Sequence, residues 1–526
     1  MLNQGAIVLP TPNALHHPAL LVYDILLDIF FHLDQFGLYR SGCKGSLLSA
    51  GLVCRAWYDP AMDVLWAERV FLSRLLALLS SLEIPPGCDT ATASCEPASP
   101  LAMPLNVGRP HAGILESDGS SCEPFRRPIP QCWSRFRSYA YRVKSAVLDD
   151  RLFDPTFVSS TNPDPSQPLL PNVRQLILEP QDIRQALVWM HSMVERLNFT
   201  QRQGVNMSDF VVGTARLCPN LTELNLSWGT NVMAMEPING LRRLRIVSLH
   251  GCDMTAVLLE LAKLPSVESL SLSLLPDLPS RWPWSLIEPF PKLKKLRMSA
   301  VNGSMATFIR ILATGGSYLK ELNIGRNVHM EDLQTSICAI GVHRYLERLI
   351  IHSCQGSTTL SLPILRNIFP CDSLTTLSLH VDGDILMVDE DFIVLGIGLP
   401  RIVDFSLQTL KSRTKFTLQA LSIAVKSWPS LKTLRLQINL DGAVPPEKHT
   451  APHRQLHTLH LPYCIISTKP VQVAWFIAGL SDLDGFQLLC DECKFWPLVK
   501  ELLPELRRAR REARTRAHET RVSESD

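Results

Sequence analysis

A chain of 526 residues exceeds one ordinary domain, and with 46% hydrophobic and 19% charged residues most of it can pack a core. A formal net charge of +2 points to neither nucleic acid nor a membrane surface as a bulk partner. The 14 cysteines are scattered rather than clustered, the usage expected of reduced thiols inside a cell.

The opening MLNQGAIVLP lacks the basic region and cleavage site of a secretory signal, so an intracellular protein, cytoplasmic or nuclear, is expected. The apolar stretch from Pro18 to Leu33 is interrupted by Asp24, Asp28 and His32, too polar to span a membrane. Residues 15–70 read instead as a small helical unit. Leu21, Ile25, Leu26, Ile29, Phe30 and Leu33 recur at helical spacing. A Gly/Ser-rich turn follows from Gly37 to Gly45, then a second apolar run from Leu47 to Trp57. Asp59-Pro60 restarts a helix that ends near Trp66. A unit this short buries too little surface to be comfortable alone and is expected to dock on something.

The segment LLVYDILLDIFFHLD…LLSAGLVCRAWYDPAMDVLW resembles an F-box, whose hallmarks are L-P-x-E-I-L and V-C-[RK]-x-W. Leu21, Asp24, Ile25 and Leu26 stand at the L, E, I and L positions, and Val22 occupies the place of the proline. Val53, Cys54, Arg55 and Trp57 form the second core, while Ala61, Leu65 and Trp66 match the closing helix. The resemblance implies that Leu21, Val22, Asp24, Ile25, Leu26, Ile29, Val53, Cys54, Trp57, Leu65 and Trp66 dock on a Skp-family adaptor. That adaptor would join the chain to a cullin–RING ubiquitin ligase. The alternative is a helical cap on the array that follows, which repeat proteins need in any case.

Residues 84–130 contain nine prolines with Gly, Ser and Thr between them, and are read as a disordered linker. A second Pro-rich loop runs from Asp154 to Pro171. Pro130 to Leu148 resembles the helix that leads into the first repeat of F-box proteins with leucine-rich repeats.

From there the phrase L-x-x-L-x-L recurs. It reads Val173-Leu176-Leu178 and, after a gap of 48 residues, restarts at Leu221, Leu244, Val267, Leu293, Leu319, Leu346, Leu374, Ile402, Leu431, Leu456 and Leu483, 23–29 residues apart from Leu221 on. Weaker copies are Val143-Ala146-Leu148 and Val194-Leu197-Phe199. This period and pattern are those of a leucine-rich repeat, about 12–14 of them over residues 131–500. A hydrogen-bonding side chain often follows the last apolar position, as at Cys354, Asp382, Asn439 and Cys464. Met254–Leu264 and Leu418–Trp428 carry helical spacing between phrases. The fold class expected is α/β: a three-helix module, then a curved solenoid with parallel strands inside and helices outside. The Arg-rich stretch 506–526 reads as a basic helix fading into a flexible tail, or else as a nuclear-import patch.

No phosphate loop, nucleophile elbow or H-E-x-x-H helix is present, and the single C-x-x-C at Cys490 and Cys493 has no second pair. No catalytic residue, cofactor or metal is expected, and the chain reads as a receptor rather than an enzyme. In each phrase the x positions face outward along the concave sheet. There Lys294, Lys295, Arg297, Lys320 and Asn323 form a basic candidate surface for an unidentified protein target.

Overall fold

The computed structural model describes residues 23–36, 43–67, 70–71, 75, 130–148, 164, 167–179, 186–200, 207–227, 238, 240–251, 255–273, 289–299, 305–314, 316, 318–325, 328–355, 359–409, 416–440, 453–462, 464, 470–481, 483–490 and 496–523. Leu21, Val22 and most of the two Pro-rich segments lie outside these residues. The chain divides into two compact units, Met1–Val194 and Glu195–Asp526.

The first unit opens with α1 (Tyr23–Phe36), α2 (Cys43–Gly51) and α3 (Arg55–Ala67). Their apolar faces meet in a core of Leu26, Phe30, Leu47, Ala61 and Val64, with Leu27, Ala50, Trp57 and Leu65 packed against it. Phe30 and Trp57 meet edge to face, ring centroids 5.8 Å apart. The third helix was expected to restart at Asp59-Pro60, yet it begins at Arg55 and runs through Pro60. The proline removes one intrahelical bond, while its own ring is buried.

The module then runs straight into a sheet. β1 (Val70–Phe71) pairs in parallel with β2 (Ser145–Leu148), Val70 against Ala146, and β2 pairs with β3 (Gln175–Leu178). Between β1 and β2 comes α4 (Pro130–Ala140), the expected lead-in helix. The Pro-rich linker is therefore inserted between two elements of one paired structure.

The second unit is a ladder of parallel strands: β4 (Arg196–Thr200), β5 (Glu223–Ser227), β6 (Ile246–His250), β7 (Ser269–Leu272), β8 (Lys295–Met298) and β9 (Glu321–Ile324). It continues through β11 (Arg348–Gln355), β12 (Thr376–Val381), β13 (Asp404–Thr409), β14 (Thr433–Leu436), β15 (Thr458–Leu461) and β16 (Gln487–Cys490). A short β10 (Val328–His329) joins β11 from the side. Both weaker phrases are strands: Ala146 and Leu148 face Leu176 and Leu178, and Leu197 and Phe199 face Leu224 and Leu226.

One bond pattern repeats along the ladder from Glu195 to Lys432. The carbonyl of the second phrase position accepts two successive amides of the next repeat, as Lys294 O does from Lys320 and Glu321, at 2.8 and 2.9 Å. The leucines that follow alternate inward and are nearly all fully buried. Helices α5 (Met207–Leu217), α6 (Thr255–Ala262), α7 (Met305–Thr314), α8 (Met330–Ile340), α9 (Asp391–Gly398), α10 (Leu418–Ser427) and α11 (Pro470–Ala478) return the chain between strands. Each unit buries its apolar face only against its neighbours. Helix α10 shows the local logic: Thr417 caps it by accepting from Gln419 N, and Trp428 ends it by donating to Leu399 O at 3.0 Å.

Three expectations require correction. The last phrase, Leu483-Phe486-Leu488, is out of register: Leu459 pairs with Leu488, not with Phe486. A two-residue slip keeps the same side chains facing inward, so the apolar pattern does not resist it. The hydrogen-bonding side chains that follow the last apolar position also differ in burial. Cys464 is buried and its Sγ accepts from Ile438 N at 3.2 Å, whereas Asn439 is exposed. Finally, residues 506–523 are not a loose tail. They belong to α12 (Trp496–Ser523), which packs along α11 and caps the last repeat, while 524–526 lie outside the described residues. Trp496 Nε1 donates to Cys464 O at 3.0 Å. Arg507 lies over the Phe486 ring at 5.3 Å, and Arg510 over Trp475 at 4.3 Å.

Candidate interaction surfaces

On the helical module the predicted adaptor-binding residues separate by depth. Leu26 is buried, and Trp57 and Leu65 pack against the same core, so these three support the module from within. Trp66 is taken up by α4, its ring centroid 4.8 Å from that of Tyr139. Asp24 is exposed and Cys54 half-buried. Ile25, Ile29 and Val53 face solvent, 42%, 40% and 64% exposed. Leu52, at 48%, stands beside Val53 and escaped the sequence reading because no motif position marks it. Four apolar side chains from one helix and one turn thus lie open on a small, packed module.

The module is also fastened to the sheet that follows. Tyr23 donates its hydroxyl to Asp63, and Arg142 donates to the same carboxylate. Burial, and then the bond to Asp63, raise the Tyr23 phenol to about 12. Tyr58 is raised too, chiefly by its hydrogen bond with Tyr139.

On the open face of the sheet in the second unit, the basic candidate surface is largely neutralised. Lys294 Nζ meets Glu268 Oε2 at 2.9 Å, Lys320 Nζ meets Glu347 Oε1 at 2.6 Å, and Lys295 Nζ meets Glu321 Oε2 at 3.5 Å. Arg348 reaches the other Glu321 oxygen at 3.8 Å. The hydrogen bond from Lys294 holds the Glu268 carboxyl below its ordinary range. Partners 26–27 residues apart in sequence are on adjacent strands in space, which no local pattern reveals. Arg297 is the member of the cluster without an ion pair among the described residues. It stands beside Asn323 in register and close enough to His250 to depress that imidazole further, after burial. The Oδ1 of Asn323 is buried without a partner.

A second polar patch spans β11 to β14. His352 Nδ1 and His380 Nδ1 are 3.4 Å apart, His380 Nε2 lies 3.3 Å from Ser406 Oγ, and Gln408 Nε2 donates to the same hydroxyl at 3.5 Å. Arg435 faces Ser406 in register, with His460 on its other side. Burial, then the charges of His352 and Arg435, push the His380 imidazole down to about 4.

Among the described residues no group of His, Cys, Asp and Glu is arranged to hold a metal, and no helix is long and apolar enough to cross a membrane.

No family model matches the chain, and no curated protein matches it. Among solved structures, it is similar to a leucine-rich-repeat protein of Leptospira interrogans, at 16% identity and a TM-score of 0.37, covering 63% of this chain and 88% of that one. It is also similar to the Arabidopsis receptor kinase HAESA, solved with the peptide hormone IDA and the co-receptor SERK1, at 12% identity and a TM-score of 0.23. That match covers 68% of this chain and 72% of the other. The leucine-rich-repeat fold itself follows from the 23–29-residue period and the parallel ladder with its in-register leucines.

Proposed function

We propose that this chain is the substrate-recognition subunit of an SCF-type ubiquitin ligase. Helices α1 to α3 dock on a Skp-family adaptor, and the repeats hold a protein target for ubiquitination. The observation that carries this reading is the exposure of four apolar side chains of the module, Ile25, Ile29, Leu52 and Val53. A module that served only as a cap would turn such groups onto the array. Here the cap-like contacts are made by other residues, Arg142 and Trp66 among them. The receptor performs no chemistry; it raises the local concentration of the target where its partners transfer ubiquitin.

The test is co-purification of the full chain with a Skp-family adaptor. The wild-type chain is expected to form a stoichiometric complex, and Ile29→Glu combined with Val53→Glu to lose it without loss of folding. A folded wild-type chain that ignores the adaptor leaves a plain repeat scaffold with a helical cap.

A further inference from the structure

Among the described residues the open sheet face carries a half-buried cation without an ion pair, and it lies away from the lysine cluster. On β8 and β9 each lysine has a glutamate opposite it. On β14 Arg435 has no ion pair among the described residues, and its Nε is buried without an acceptor. A guanidinium N–H withdrawn from water and left unbonded is unfavourable, so the site favours any ligand that supplies an oxygen there.

The surroundings select the kind of oxygen. Along the register, Ser378, Ser406, Arg435 and His460 form one row across four strands, and His380 and Gln408 lie in the next row. Lys432, exposed at the start of the same strand as Arg435, adds a second cation. Asp404 on β13 accepts from Thr376 Oγ1 at 3.5 Å, and no ion pair joins it to Arg435. His352, His380, Ser406 and Gln408 bond among themselves. The guanidinium therefore stands with hydroxyl and imidazole groups beside it. A planar five-donor fork in that setting fits a carboxylate or phosphate, which it can grip through two parallel bonds.

We propose that the open sheet face at Ser406 and Arg435, flanked by Ser378, His380 and His460, binds a carboxylate or phosphate group carried on an extended protein segment. As the target subsite of a ligase receptor this rests on the reading above; the binding itself does not require the adaptor.

The test uses the full chain and three libraries of short peptides with random neutral flanks and a central phosphoserine, glutamate or glutamine. The wild-type chain should capture one of the anionic libraries about tenfold over the glutamine library, the gain expected from one charge-assisted bond pair. Preference for phosphoserine assigns a phosphate, and preference for glutamate a carboxylate. Arg435→Gln should abolish the enrichment, Arg435→Lys should restore part of it, and Lys294→Gln with Lys295→Gln should leave it intact. In the wild-type chain, adding the captured peptide should also shift the imidazole resonances of His380 and His460, a readout that no variant's folding affects. Equal capture of all three libraries, enrichment that survives Arg435→Gln, or unmoved imidazole resonances would each overturn the proposal. Adaptor capture is read on the same protein. A chain that takes anionic peptides but no adaptor retains this site and discards the receptor reading, and the reverse result discards this site alone.

Discussion

Arg142 Nη2 lies 2.5 Å from Asp59 Oδ1, and its Nη1 donates to the Asp59 carbonyl at 3.0 Å and to the Asp63 carboxylate. One side chain, just ahead of β2, therefore binds two turns of α3. With Lys144 N donating to Ala67 O at 3.2 Å, the helical module and the first strands are held as one body.

Replacing Arg142 with Met should loosen that joint. The guanidinium is mostly covered and its partners are partly exposed, so a loss of about 1–2 kcal/mol is expected. Hydrogen exchange should speed in α3 and β2 and stay unchanged in the second unit. Exchange unchanged throughout would show that the bonds are incidental.

Leu26 and Val53 should separate support from contact. Leu26→Ala removes a core side chain and should cost about 2–4 kcal/mol of stability, weakening adaptor capture through unfolding. Val53→Glu changes an exposed position and should leave the melting temperature almost unmoved while abolishing capture. Capture by a folded Val53→Glu chain would remove this turn from the interface.

The ion pairs of the lysine cluster are solvent-exposed, and removing them should matter little. Lys294→Gln and Lys320→Gln should each change stability by less than about 1 kcal/mol, with the effect shrinking further at high salt. Urea denaturation at two salt concentrations measures this. A larger, salt-independent loss would mean that these pairs fix the register of the ladder.

His380 should titrate near pH 4 by imidazole NMR, well below an ordinary histidine at 6.5, because burial and then His352 and Arg435 oppose its charge. The folded state thus binds the proton more weakly than the unfolded chain. Stability is fully present above about pH 6.5 and falls as the pH drops toward 4. His191, His250 and His343 are depressed by burial in the same direction, so His380→Gln should reduce this acid-side slope without removing it. A midpoint near 6.5 would contradict the packing described. An oxyanion bound beside Arg435 should raise the midpoint.

Deleting residues 506–526 should expose the final strand. Arg507 donates to Ser481 O at 3.2 Å and stacks on Phe486, and Arg511 pairs with Asp484 at 2.7 Å. Amide exchange in β16 is expected to quicken about tenfold or more, the equivalent of one buried charged bond with a cation–π contact. An unchanged rate would assign these arginines to another role.

The sequence by itself determined the repeat architecture. Leucines at a period of 23–29 residues must share one side of a strand, and no single repeat can bury them alone. It also determined the three-helix module, since Leu26, Phe30, Leu47 and Val64 follow helical spacing into one core. What it left open depends on contacts between distant residues. Whether Lys294 is free or neutralised is decided by Glu268, one strand away. Whether the arginines after Leu506 are loose or capping is decided by the aromatic rings of the last repeat. The register of β16 was illegible because a slip of two residues preserves the inward face. The patch at Arg435 arose in the same way: four strands, each unremarkable in sequence, bring two hydroxyls, an imidazole and a guanidinium without an ion pair among the described residues into register, and only the stacking of repeats places them together.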